Sequence, residues 1–204
     1  MRKNHFISKT DIRFDWYQVI KEVDTLMGII KSSENHPNLN QLGLSHTEDC
    51  PEELQWKQSI GSLSWQEYNP GLKNTEKDFT RINPELAFIA PYTYKICKVM
   101  KEKFNIGRIR LMSMEKETCY NVHKDFESRY HLAVVAPRDS FLYYRLNENP
   151  TFTDEIMDTA HGVGFWIPND GYIYKMDASK YHTAVNPSNE TRIHLVFNEF
   201  YDIY

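Results

Sequence analysis

Cysteine is scarce in this chain. Cys50, Cys97 and Cys119 are the only three in 204 residues, and their scattered positions argue against a disulfide framework. A reducing, cytoplasmic compartment is the expectation that follows. A basic surplus is missing too: the formal net charge is −4, so no cationic excess is there to neutralise phosphates, and nucleic acid is not an expected partner. No apolar run approaches the length that spans a bilayer. The start Met1-Arg2-Lys3-Asn4-His5-Phe6 leads into no hydrophobic segment of the signal-peptide kind. Neither a membrane nor a secretory route is expected. Internal repeats and low-complexity segments are absent as well.

What the chain does contain is an ordinary globular balance, 41% apolar and 25% charged residues, with aromatics at 14%. Thirteen Tyr and 11 Phe favour pleated, half-buried strands, so the core is expected to be dominated by sheet. The length allows one sizeable hydrophobic core. Residues 1–106 are expected to form a helical and irregular portion packed on a core made by residues 107–204, the two together being one domain.

Along the chain, Trp16, Val19, Ile20, Val23, Leu26, Met27 and Ile30 recur at spacings of three and four, which predicts an amphipathic helix over Asp15 to Lys31. From Asn38 to Lys77 the pattern is weak, with Trp56, Ile60, Leu63 and Trp65 expected to pin part of it down. Asn83-Pro84-Glu85 starts a second helix over Leu86 to Phe104, broken at Pro91. After Asn105-Ile106-Gly107 the period changes. Short β-rich runs follow at Arg108–Met114, Thr118–His123, Arg129–Ala136, Ser140–Leu146, Val163–Ile167, Tyr172–Met176, His182–Val185 and Arg192–Phe200, separated by turn signals such as Asn169-Asp170-Gly171 and Asn186-Pro187-Ser188-Asn189. Strands in succession with no helix between them suit a mainly β fold with some helix, a double-stranded β-helix of the jelly-roll, cupin-like kind, its N-terminal helices packed on one sheet.

The chemistry gathers between Tyr120 and Arg192. Taken alone, His123-Lys124-Asp125 is a pattern that any chain of this length produces. His182 opens a later strand of the same β-rich region, and a His-x-Asp pair joined by a distant His offers two imidazoles and one carboxylate to a single metal with positions left open. Arg192, ten positions after His182, would meet the far carboxylate of a keto acid as a planar, permanently charged fork. Arg129 and His131 share one face of their strand and offer further cationic or hydrogen-bonding contacts; their alternative is a hydrated, salt-bridged surface pair. His194 reads as a satisfied core histidine in preference to a cavity lining. His5, His36 and His46 read as exposed, and His161 as a turn residue.

Three blocks carry a family resemblance: Thr118-Cys119-Tyr120-Asn121-Val122-His123, Arg129-Tyr130-His131-Leu132, and Gly171 to His182 followed by Arg192. Together they resemble the catalytic domain of the aspartyl/asparaginyl β-hydroxylase family, within the 2-oxoglutarate and Fe(II)-dependent oxygenases. The resemblance implies His123 and His182 as iron ligands, and Arg192, helped by Arg129 and His131, as the 2-oxoglutarate site. Animal members of the family carry glycine where this chain has Asp125, so the third ligand follows the wider oxygenase superfamily. The loop from His123 to Arg129 is shorter than in those relatives, and the serine that assists 2-oxoglutarate binding has only Ser113 as a nearby candidate. The implied function is a dioxygenase that uses Fe(II), 2-oxoglutarate and O₂ to hydroxylate an unactivated C–H bond. Its substrate would be an aspartyl/asparaginyl or other amino-acid residue of a peptide, or a small metabolite. Two rivals stand beside it: a cupin-like metal enzyme without 2-oxoglutarate, and a non-catalytic jelly-roll binding module.

Overall fold

The computed structural model describes residues 6–32, 40–61, 74–125, 127–146 and 162–201. The β-rich half forms strands β5 (Ile106–Met114), β6 (Thr118–Cys119), β7 (Arg129–Val135), β8 (Phe141–Arg145), β9 (Gly162–Phe165), β10 (Tyr172–Met176), β11 (His182–Asn186) and β12 (Arg192–Glu199). They divide between two antiparallel sheets. One contains the neighbours β10-β7-β12-β5, the other the order β6-β11-β8-β9. Successive strands therefore cross from sheet to sheet, except β8 and β9, which pair within the smaller one, and the fold is a mainly β jelly roll of antiparallel sheets.

Before it come β1 (Ile7–Arg13), helix α1 (Trp16–Ser32), β2 (Gln41–Gly43), the two-stranded pair β3 (Ser45–His46) with β4 (Arg81–Ile82), a helical turn α2 (Leu86–Ile89) and helix α3 (Pro91–Lys103). The second helix divides at Pro91 because proline has no N–H to continue the ladder yet suits a first helical position. Glu22 of α1 caps its start: the carboxylate accepts from the backbone N–H groups of Tyr92 and Thr93 at 2.9 and 2.8 Å.

The larger sheet also recruits strands that the sequence pattern did not show. β1 pairs with β10 and β2 with β5, which extends it to six strands. His46 is likewise buried on β3, with Nδ1 2.7 Å from the Thr47 carbonyl, where an exposed residue was expected. Trp56 packs against the core as expected, whereas Leu63, Trp65, His5, His36 and His161 lie outside the described residues.

The larger sheet is covered on both faces. Val19, Val23 and Leu26 of α1 and Ile96, Cys97 and Met100 of α3 pack on Ile109, Leu111, Tyr130, Leu132, Val134, Ile193, Leu195 and Phe197. Burying side chains of this size stabilises by about 1.5–3 kcal/mol each. The opposite face meets the smaller sheet through Met114, Ala133, Leu142, Tyr144, Met176 and Ala184. Because side chains alternate along a strand, the residues between the helix-facing ones point into the space between the sheets. On β7 those are Arg129, His131 and Ala133, and on β12 they are Arg192, His194, Val196 and Asn198.

The turn into β10 fixes where this space begins. Gly171 has φ +81°, and an added Cβ would lie 2.2 Å from the Phe14 carbonyl oxygen. The Phe14 N–H in turn donates to the Gly171 carbonyl at 2.8 Å. Gly171→Ala is expected to destabilise the protein by about 1–3 kcal/mol, read as a lower chemical-denaturation midpoint, through strain at positive φ and the backbone clash. An unchanged midpoint would contradict this account of the turn.

Candidate metal centre

His123 lies beyond the end of β6 and His182 begins β11. Their backbones form a reciprocal antiparallel pair, His123 N–H to His182 O at 3.0 Å and His182 N–H to His123 O at 2.9 Å. Directly opposed residues present their side chains on the same face, and the two ring centroids are 4.5 Å apart. Asp125 follows two positions later, so alternation returns it to that face, and its N–H is fixed by the Ala178 carbonyl at 2.9 Å.

One ligand atom from each of His123, Asp125 and His182 falls within 4.8 Å of the others. Asp125 Oδ2 is 3.6 Å from His123 Nε2 and 3.4 Å from His182 Nε2, longer than good hydrogen bonds. The other ring nitrogens are committed: His123 Nδ1 lies 2.8 Å from the Asn121 carbonyl and His182 Nδ1 2.8 Å from the Lys180 carbonyl. A carbonyl only accepts, so each Nδ1 carries the proton and each neutral ring turns the bare Nε2 towards Asp125. His182 Nε2 is buried and makes no hydrogen bond. Lone pairs facing one another at these distances favour a cation among them.

The electrostatics agree with that preference. Burial pushes the Asp125 carboxyl up, but His123, His182 and Arg129 outweigh it and hold the group well below the usual carboxylate range. The carboxylate in turn raises the pKa of His123, against the effect of burial.

The anion-binding residues expected from the sequence separate into two groups. Arg129 lies against the metal triad, its Nη2 2.5 Å from Asp125 Oδ2. Arg192 and His131 instead flank His194: Arg192 Nη2 is 3.2 Å from His194 Nδ1, and His131 Nδ1 is 3.4 Å from the same atom. Burial lowers the Arg192 pKa to about 10, which leaves it charged at neutral pH, and among the described residues no carboxylate pairs with it. Arg129 and His131 lie two positions apart on β7 and so share its inward face, which puts both groups on the space between the sheets. Ser113 is not part of it. It pairs in register with Ile193, on the helix-facing side, and its hydroxyl donates to the Asn40 carbonyl.

A profile of the aspartyl/asparaginyl beta-hydroxylase family matches residues 13–200. The chain belongs to that family. Membership places this family member among hydroxylase-type oxidoreductases and extends the relationship well N-terminal of the motif blocks. No curated protein matches the sequence. Among solved structures, AviO1 from Streptomyces viridochromogenes Tue57 is similar with a TM-score of 0.50 at 12% identity, over 97% of this chain and 90% of that one. A cupin domain protein from Bordetella pertussis Tohama I has a TM-score of 0.35 at 10% identity over 46% and 81% of the two chains. An oxidoreductase of the 2OG-Fe(II) oxygenase family from Burkholderia pseudomallei has 0.36 at 15% over 56% and 52%, so the match spans about half of its length.

The residue types point to the triad but not to the use of Arg129, because the contact joins a loop residue to a strand residue. The spacing of four between Asp125 and Arg129 was visible, but outside a helix it has no fixed geometry. Arg129→Gln is expected to weaken divalent metal binding by about ten- to a hundredfold, as loss of a group that orients a ligand does. Calorimetric titration with Ni(II), without any keto acid, measures this. Wild-type affinity would show that Arg129 does not orient Asp125.

Proposed function

We propose that this family member is an Fe(II)- and 2-oxoglutarate-dependent dioxygenase that hydroxylates an unactivated C–H bond of an amino-acid residue or small metabolite. The observation that carries the reading is the pairing of two incomplete sites in one interior space. One is the His123-Asp125-His182 set, with a ligand atom of each within 4.8 Å of the others and His182 Nε2 buried without a hydrogen bond. The other is the buried Arg192, which has no carboxylate partner among the described residues. The donor set fits the group it would hold, since two neutral imidazoles and one carboxylate are the ligands of a facial non-haem iron site with open positions. When bound, Fe(II) with 2-oxoglutarate and O₂ supplies the oxidant: one oxygen atom enters the C–H bond and the other enters succinate as the keto acid releases CO₂.

The protein's own residues do the rest. His123, Asp125 and His182 hold the metal, and the backbone carbonyls of Asn121 and Lys180 fix which imidazole nitrogen is presented. Arg129 holds Asp125 in its ionised form. Arg192 takes the distal carboxylate of the keto acid, where burial strengthens the attraction by removing competing water. The single proton of the Tyr144 hydroxyl is shared between the carbonyls of Phe6 and Asp177, which ties the N-terminal segment to the smaller sheet. Apolar residues between the sheets exclude water from the reacting centre.

His182→Ala is expected to reduce iron-dependent succinate formation to background, and Arg192→Leu to raise the KM for 2-oxoglutarate by about ten- to a hundredfold with metal affinity unchanged. Coupled succinate assays with the substrate-independent reaction as readout measure both. Turnover in His182→Ala at the wild-type rate removes the ligand assignment. Indifference of the KM to Arg192→Leu favours a metal enzyme of this fold that does not use 2-oxoglutarate.

A further inference from the structure

His194 looks in sequence like a core histidine whose polar atoms are satisfied, but only half of it is. The residue is 2% exposed and points between the sheets, two positions along β12 from Arg192. Its Nδ1 lies 3.2 Å from Arg192 Nη2. A guanidinium carries donors and no acceptor, so Nδ1 must be the acceptor, and the proton of the neutral ring sits on Nε2. That Nε2–H is buried and has no partner. Burial and the adjacent Arg192 charge keep the ring neutral.

His131 lies beside this ring. Its Nδ1 is 3.4 Å from His194 Nδ1, whose one lone pair already accepts from Arg192, so the contact is packing and not a second hydrogen bond. The neighbouring registers His194 with Ala133 and Val196 with His131 place the two rings on adjacent strands, at a centroid separation of 5.6 Å and nearly perpendicular. His131 in this arrangement packs against the ring of His194, and its own Nε2 is buried without a partner. The order of donors and acceptors thus delivers one fixed result: a single aimed N–H next to a buried guanidinium whose charge no carboxylate of the described chain balances. Unpartnered buried donors are rare, and the His194 N–H beside the Arg192 guanidinium on one strand face suits one acceptor group with two oxygens.

We infer that His194 is a cosubstrate-binding residue whose Nε2–H donates, beside Arg192, to the distal carboxylate of the keto acid. The inference rests on the 2-oxoglutarate reading and adds to it a residue that sets selectivity for a dicarboxylate. His131 is a positioning residue that acts through His194.

The test measures binding without turnover. Ni(II)-loaded full-length protein is titrated under anaerobic conditions with 2-oxoglutarate and with 2-oxopentanoate, which shares the metal-chelating keto acid end and lacks the distal carboxylate. Wild type is expected to prefer 2-oxoglutarate strongly. His194→Leu and His194→Met should each bind 2-oxoglutarate about ten- to a hundredfold more weakly while binding 2-oxopentanoate and Ni(II) as wild type does. His194→Gln, which keeps an acceptor for Arg192 and an N–H donor, should restore most of the preference. Equal weakening towards both ligands, or none towards either, overturns the assignment, as does a His194→Gln variant that binds Ni(II) normally but shows no more preference than His194→Leu. Failure of wild type to bind either keto acid is a different result: it overturns the proposed cosubstrate itself.

Discussion

The two backbone hydrogen bonds between His123 and His182 are what the site depends on. They join the segment after β6 to the first residue of β11, and they do so at a directly opposed pair, so that both imidazoles stand on one face. Without that clamp the two rings and the Asp125 carboxylate would separate, because in the absence of a cation their lone pairs repel. The fold therefore holds an arrangement that the side chains would not adopt by themselves. The Asp125 N–H bond to Ala178 and the Nδ1 bonds to Asn121 and Lys180 remove the remaining freedom. Each is a bond to backbone, which moves less than a side-chain partner would.

A second constraint comes from covering the larger sheet twice. Helices α1 and α3 occupy one face and the smaller sheet the other, so a strand such as β12 has no solvent side. All eight of its residues are buried. Alternation then places Ile193, Leu195 and Phe197 against the helices and sends Arg192, His194 and Asn198 inward. Charged and polar groups in such a place must find partners or a ligand. Some do so internally: Arg108 meets Glu76 at 2.6 Å, and Arg110 donates to Asn198, which donates onward to Glu76. Arg129 meets Asp125. Among the described residues Arg192 has no carboxylate partner and His194 Nε2 no acceptor.

Much of this was legible in the residues. The period change after Gly107 gave the strands from Arg108 onward, and the break at Pro91 followed from the chemistry of proline. The His-x-Asp pair and His182 were readable because metal ligation tolerates few residue types. β1 and β2 were not readable. Residues Ile7–Arg13 show no apolar alternation, since β1 is an edge strand with several exposed positions, and the three residues of β2 belong to a strand only because β5 lies alongside. Ser113 was misplaced for a related reason: its distance from the motif blocks in sequence says nothing about which face of β5 it occupies.

Residue types and spacing by themselves determined the fold class, the succession of strands and the identity of the metal-binding candidates, because these depend on periodicities of two and 3.6 residues and on the ligand chemistry of imidazole and carboxylate. Only the tertiary structure decided how the buried polar groups are shared: Arg129 pairs with Asp125, and Arg192 with His194. That division depends on which strands lie next to each other and on which neighbour reaches a buried N–H first. Both are contacts between residues far apart in the chain, and no local pattern records them.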